Sequence, residues 1–159
     1  MNNYGIDIWS DDNFVIEDGL AKVNYKCKPS LISIVKDIRK QDFKGPLLLR
    51  FPHITEKQIN TLYNTFNSSI KEYDYKGTFN AVFPLKVNQL PNFIHPLINE
   101  GKKFNYGLEA GSKAELVIAM TYNNINSPIT VNGFKDKEMI HLGFIAKSMG
   151  HDITLIIEG

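Results

Sequence analysis

Only one cysteine, Cys27, occurs in the 159 residues, and only two arginines, Arg39 and Arg50. A lone thiol neither staples a fold nor builds a zinc site, which points to a reducing, cytoplasmic setting rather than a secreted one. With 16 lysines and so little arginine, the chain lacks the forked donors that read base edges. No excess of one charge makes up for this. Lys plus Arg is 18 and Asp plus Glu is 17, a net +1 that leaves no electrostatic footprint for nucleic acid or an anionic membrane. Long apolar runs are missing too; none approaches the roughly 18 residues that span a bilayer. The opening Met1-Asn2-Asn3-Tyr4 is polar, and no Lys or Arg precedes Lys22, so no signal-peptide pattern is present. Asn67-Ser68-Ser69 is then a chance match to a glycosylation sequon. What remains, 43% apolar and 22% charged, is the composition of a soluble folded protein at the length of one ordinary domain.

The first 25 residues differ from the rest. Ile6, Ile8, Phe14 and Ile16 alternate with polar residues, and Asp18-Gly19 is a hairpin-type turn pair before a second short strand, Leu20 to Tyr25. From Ser30 the period becomes helical, with Leu31, Ile34, Val35 and Ile38 on one stripe that Gly45-Pro46 stops. Leu47 to Phe51 reads as a short apolar strand. Thr55 with Gln58 looks like a capping box for a second helix, with Ile59, Leu62, Tyr63, Phe66 and Ile70 on its buried face and an end near Gly77.

Strands and helices then alternate. The pattern predicts strands over Phe79–Val87, Phe104–Glu109, Ile129–Asn132 and Ile153–Ile157. Between them it predicts helices over Pro91–Glu100, from a Ser112/Glu115 capping box through Met120, and over Lys135–Met149. Apolar strands alternating with helices argue for a parallel sheet covered on both faces. The polar residues ending these strands, Lys86, Glu109 and Asn132, are 23 positions apart each time, with Glu158 a further 26 on. A βα unit of that length suits a doubly wound sheet or a (β/α) barrel.

In such folds reactive groups sit at the carboxyl ends of the strands. Right-handed crossovers set successive strands side by side, so Lys86, Glu109 and Asn132 would share one rim. A lysine at the mouth of an apolar strand is partly desolvated, which lowers its pKa and frees the amine to attack a carbonyl. Glu109 would oppose that shift while orienting the lysine or a cationic ligand. Against this, Lys86 is one of 16 lysines, mostly solvated, and strands often end in polar residues. Other motifs are weaker. Gly107 to Lys113 has the wrong glycine spacing for a phosphate loop, and Ser112 serves better as a helix N-cap. His53, His95, His141 and His151 show no ligand-type pairing. Tyr73 and Tyr75 beside Lys71 and Lys76 fit helix-end packing as well as base stacking. Cys27, between lysines, has no neighbouring base.

Four runs carry a family resemblance: Tyr75-Lys76-Gly77; Phe83-Pro84-Leu85-Lys86-Val87-Asn88-Gln89; Tyr106-Gly107-Leu108-Glu109-Ala110-Gly111-Ser112-Lys113; and Asn132-Gly133-Phe134-Lys135-Asp136. With the opening Tyr4 to Trp9 and Pro46 to Pro52, they resemble in order the biosynthetic arginine decarboxylases. Those are pyridoxal-phosphate enzymes of the alanine-racemase-like barrel group. The resemblance implies an α/β chain: an N-terminal β-hairpin (1–28), part of a β domain, followed by the first half of a pyridoxal-phosphate-binding (β/α)8 barrel (29–159). It implies that Lys86, in the Pro-x-Lys-Val-Asn-Gln motif, holds pyridoxal phosphate covalently and is catalytic, and that Glu109 lies near the cofactor. L-arginine would lose CO2 to give agmatine, for polyamine and spermidine biosynthesis. For the complete protein it also implies Mg2+ dependence and a homo-oligomer, with neither nucleic acid nor membrane as partner.

The family's phosphate loop, its acid for the pyridine nitrogen, its substrate carboxylates and its catalytic cysteine all lie later, and Cys27 does not match that cysteine. The expectation is an N-terminal portion, inactive alone. Three alternatives stand beside it: a decarboxylase of another basic amino acid such as diaminopimelate, a non-catalytic half-barrel that binds a partner, and a complete doubly wound domain of five strands.

Overall fold

The computed structural model describes residues 5–157. Tyr4 of the opening motif and Glu158 after the last strand lie outside them. The chain forms two compact units, Met1–Ile54 and Thr55–Gly159.

In the first unit, the expected hairpin is present. Strands β1 (Phe14–Glu17) and β2 (Leu20–Val23) pair antiparallel with Phe14 opposite Val23 and Glu17 opposite Leu20. Both turn residues, Asp18 and Gly19, take positive φ (54° and 73°), as the twist-matched two-residue turn requires. Ile6 and Ile8 do not extend β1. They lie in a short helix, α1 (Ile6–Trp9), that follows the left-handed Gly5. Two positions along a helix are about 200° apart, and accordingly Ile6 is buried while Ile8 faces solvent. Helix α2 (Leu31–Arg39) starts where expected, with the Ser30 hydroxyl accepting from the Ser33 N–H.

Residues 47–51, expected as a short strand, form none. Leu47, Leu49 and Phe51 are half-buried and Leu48 and Arg50 exposed, yet no described segment supplies ladder partners. The edge of Phe51 meets the Phe14 ring at 5.3 Å. The hydrophobic period was there; a strand also needs a neighbour for its N–H and C=O groups.

Helix α3 (Pro52–Glu72) begins three residues before the expected cap. Pro52 supplies the preset φ and missing N–H that favour a first helical position, which leaves Thr55 already inside the helix. Ile59 and Tyr63 are its buried residues. Tyr63 stacks on Phe104 at 4.4 Å, and its hydroxyl accepts the Ala81 N–H at 3.1 Å.

The remaining elements are β3 (Val82–Pro84), α4 (Pro91–Gly101), β4 (Gly107–Ala110), α5 (Lys113–Tyr122), β5 (Pro128–Val131), α6 (Lys137–Ser148) and β6 (Asp152–Leu155). Strand β3 is shorter than expected because Phe79 packs on Tyr63 and Phe66 instead. Residues Lys102–Phe104 form a single 3-10 turn closed by left-handed Asn105, which delays β4 to Gly107. All four strands are parallel, in the order β3-β4-β5-β6. That order lacks the reversal at which a doubly wound sheet binds its ligand.

Side chains alternate across the sheet. Leu108, Ala110, Ile129 and Val131 join one core with Ile59 and Tyr63 of α3, Ile94, Leu97 and Ile98 of α4, Leu116 and Ala119 of α5, and Met139 of α6. The expectation of cover on both faces is therefore corrected. Among the described residues of this unit, the helices pack on one face. Glu109, Thr130, Asp152 and Thr154 occupy the alternate positions and are half-buried or exposed. No described helix is long and apolar enough to cross a membrane.

Candidate active site

Strand β3 ends at Pro84, and the next residue anchors the turn beyond it. Leu85 is fully buried, and its N–H donates to the Glu109 carbonyl at 3.0 Å. The chain then turns, with the Val87 N–H donating to the Pro84 carbonyl at 3.1 Å. Lys86 sits in this turn at the carboxyl rim of the sheet. It is exposed, and it makes no hydrogen bond or ion pair with another described residue. Its exposure differs from the partly buried position expected of a lysine at the mouth of an apolar strand.

Glu109 is half-buried on the adjacent strand, in register with Pro84 on one side and Thr130 on the other. Thr130 is in turn opposite Thr154. The two residues singled out from the sequence therefore lie on neighbouring βα units, Glu109 near the end of β4 and Lys86 in the turn after β3, and the backbone bond from Leu85 to Glu109 joins the two segments. Half-buried Asn132 follows β5, its N–H donating to the Ala110 carbonyl at 2.9 Å. Thr130 and Thr154 escaped the sequence reading. The register that aligns them with Glu109 exists only once the strands are paired.

The loops behind this rim are tied together. Ser112 caps α5, its hydroxyl accepting the Glu115 N–H at 3.2 Å as expected. The Glu115 carboxylate reaches back one residue further than a simple capping box, accepting the Gly111 N–H at 2.7 Å through Oε2. Through Oε1 it accepts Nε2 of Gln89 at 3.1 Å. Lys113 donates to Asp136 at 2.9 Å and to Glu138 at 2.5 Å, joining the first turns of α5 and α6. Asp136 also caps α6, accepting the Met139 N–H at 2.8 Å. The Lys113 ammonium, then that N–H, holds the Asp136 carboxyl below its ordinary value, while Glu138 and then Asp136 raise Lys113. The loops also touch at Gly133, where a Cβ would stand 2.1 Å from the Gly111 carbonyl oxygen.

Cys27 is exposed in the first unit, where an apolar cavity of about 340 Å3 is lined by Val23, Tyr25, Ile34, Leu49, Phe51 and His53, among others. Tyr73 and Tyr75 are exposed beyond α3. Among the described residues, no three His, Cys, Asp or Glu side chains gather as a metal site.

A parallel βα layer with a lysine and an acid at adjacent strand ends defines the class: an α/β chain whose polar rim is built from βα loops. The comparisons with known proteins carry this further. No family model matches. A biosynthetic arginine decarboxylase from Prochlorococcus marinus (strain AS9601) is 35% identical over 164 residues, covering 99% of this chain and 25% of that protein. One from Pelobacter propionicus is 38% identical over 162 residues, with the same coverage. The crystal structure of the biosynthetic arginine decarboxylase from Campylobacter jejuni matches with a TM-score of 0.96 at 61% identity, covering 100% of this chain and 27% of that one. The chain is similar to biosynthetic arginine decarboxylases along its whole length. It spans about a quarter of the length of the curated relatives it matches, in keeping with an N-terminal portion.

Proposed function

We propose that this chain is the lysine-bearing portion of a pyridoxal-phosphate-dependent arginine decarboxylase. One observation carries the reading: Lys86, in the motif that resembles the family's cofactor lysine, stands at the carboxyl end of a parallel strand beside Glu109. An amine without an ion-pair partner among the described residues is available to an aldehyde, so the residues present fit the group. Lys86 would hold it through Nζ, and Glu109 would offer a carboxylate nearby.

When bound, pyridoxal phosphate supplies an electron sink for the pair left behind as CO2 departs. The chain's own part is positional. Buried Leu85 fixes the turn that presents Lys86. Glu109, Thr130 and Thr154 form a row of oxygen-bearing side chains across the face away from the helices. Consecutive parallel strands with helices on one face support a half-barrel, in which further strands would close around that row. Arginine is favoured over diaminopimelate by the names of the matched relatives. A lyase reaction giving agmatine, Mg2+ dependence, a homo-oligomer and a cytoplasmic setting belong to the complete protein in this proposal.

The test is reductive trapping. Borohydride added after incubation with pyridoxal phosphate should fix the label at Lys86, located by peptide mass spectrometry, and Lys86→Ala should abolish that labelled peptide. Labelling spread evenly over the 16 lysines would remove the role given to Lys86.

A further inference from the structure

The Glu115 carboxylate joins two loops that bear on the proposed site. Oε1 accepts from Gln89, three residues after Lys86 in the β3–α4 loop, and Oε2 accepts from Gly111, two residues after Glu109 in the β4–α5 loop. Around Gln89 the chain is also tied locally, the Asn88 side-chain oxygen accepting the Leu90 N–H at 3.0 Å. The segment carrying Lys86 is thus held at its start by buried Leu85 and at its far end by Gln89. The first hold is apolar packing in the core, and the second is a hydrogen bond to a side chain of another βα unit. We infer that Glu115 is a positioning residue: through Gln89 and Gly111 it sets the Lys86 turn against the end of the Glu109 strand. The inference rests on the reading of Lys86 as the cofactor lysine.

A helix cap alone does not require this arrangement. Capping needs the Ser112 hydroxyl on the Glu115 N–H, and a carboxylate in the first turn helps the helix wherever its oxygens point. The hydrogen bond to Gln89, 26 positions away in sequence, does nothing for α5. It limits the loop on which Lys86 stands. Charge-assisted bonds of this kind, made to a side chain anchored on a helix, keep a reacting group in its working geometry.

Gln89→Ala separates the two roles, since it cuts the loop link and leaves the cap of α5 intact. The 159-residue chain, Gln89→Ala, Glu115→Ala and Glu115→Gln would be compared by two readouts. One is hydrogen exchange of the 85–90 peptide. The other is the share of borohydride-trapped pyridoxal phosphate found on Lys86 relative to the other lysines. That share is an internal ratio, so it does not follow the folded fraction.

Expected is faster exchange over 85–90 and about a tenfold fall in the Lys86 share in both alanine variants. Glu115→Gln, which keeps one acceptor oxygen, should recover part of it. Gln89→Ala should melt at the parent temperature, whereas Glu115→Ala, having lost a first-turn carboxylate, should not. If the parent chain favours Lys86 and Gln89→Ala leaves that preference and the exchange unchanged, the positioning role is overturned. If the parent shows no preference for Lys86, the cofactor reading has failed, and the inference with it. Faster exchange in both variants would still report the loop clamp in that case, so the two failures remain distinct.

Discussion

At the scale of single residues, backbone proximity at the rim sets the tightest limits. The carbonyl that a Gly133 side chain would strike belongs to another loop's main chain, so no rotamer change relieves the clash. Gly133→Ala should destabilise the protein by about 1–3 kcal/mol, seen as a lower denaturant midpoint at unchanged slope. Leu85→Ala removes a fully buried side chain from under the Lys86 turn and should cost about 2–5 kcal/mol by the same measurement. The apolar runs that stop at polar residues placed Glu109 near the end of β4, but put Lys86 on a strand that in fact stops at Pro84. The exposure of Lys86 was not legible. It depends on a turn in which Leu85, rather than Lys86, takes the buried position, and an apolar run does not show where its last hydrogen bond falls.

At the scale of elements, the ion pairs between α5 and α6 tie stability to pH. Asp136 sits below its ordinary value of 3.8, so its contribution is present above that pH and is lost as pH falls through the lowered value. Lys113 sits above its ordinary 10.5, so its contribution is present below that pH and is lost only as pH rises past it. Lys113→Met should therefore lower the melting temperature by a constant amount between about pH 5 and pH 9, with the gap closing under about pH 4. Added salt should narrow the gap throughout, since both groups are at the surface. Helix starts were the most readable feature: Ser30 and Ser112 act as caps where the sequence puts them. The Thr55/Gln58 pair failed as a start because Pro52 opened the helix first. Glu115 was visible as half of a capping box. Its bond to Gln89 was not, because a loop and a helix start 26 residues apart meet only after β3 and β4 have paired.

At the scale of the whole molecule, alternating apolar runs and helical stripes foretold the parallel sheet, but the 23-residue interval is not its register, since Glu109 lies opposite Pro84 and Thr130 rather than Lys86 and Asn132. The exposure of one face was misread. Thr130, Asp152 and Thr154 lie in or beside runs that read as apolar, and with Glu109 their alternation marks a face that the neighbouring helices do not cover. The proposed site uses that face, and in the relatives the matched region is about a quarter of the protein. The 159-residue chain by itself should then release no labelled CO2 from carboxyl-labelled arginine, and release at a rate above a Lys86→Ala control would contradict this. Each strand of the sheet bonds only to those immediately before and after it in the chain. Assembly can therefore keep pace with the ribosome: every new βα segment finds its docking edge already made, and no earlier pairing has to open to admit it.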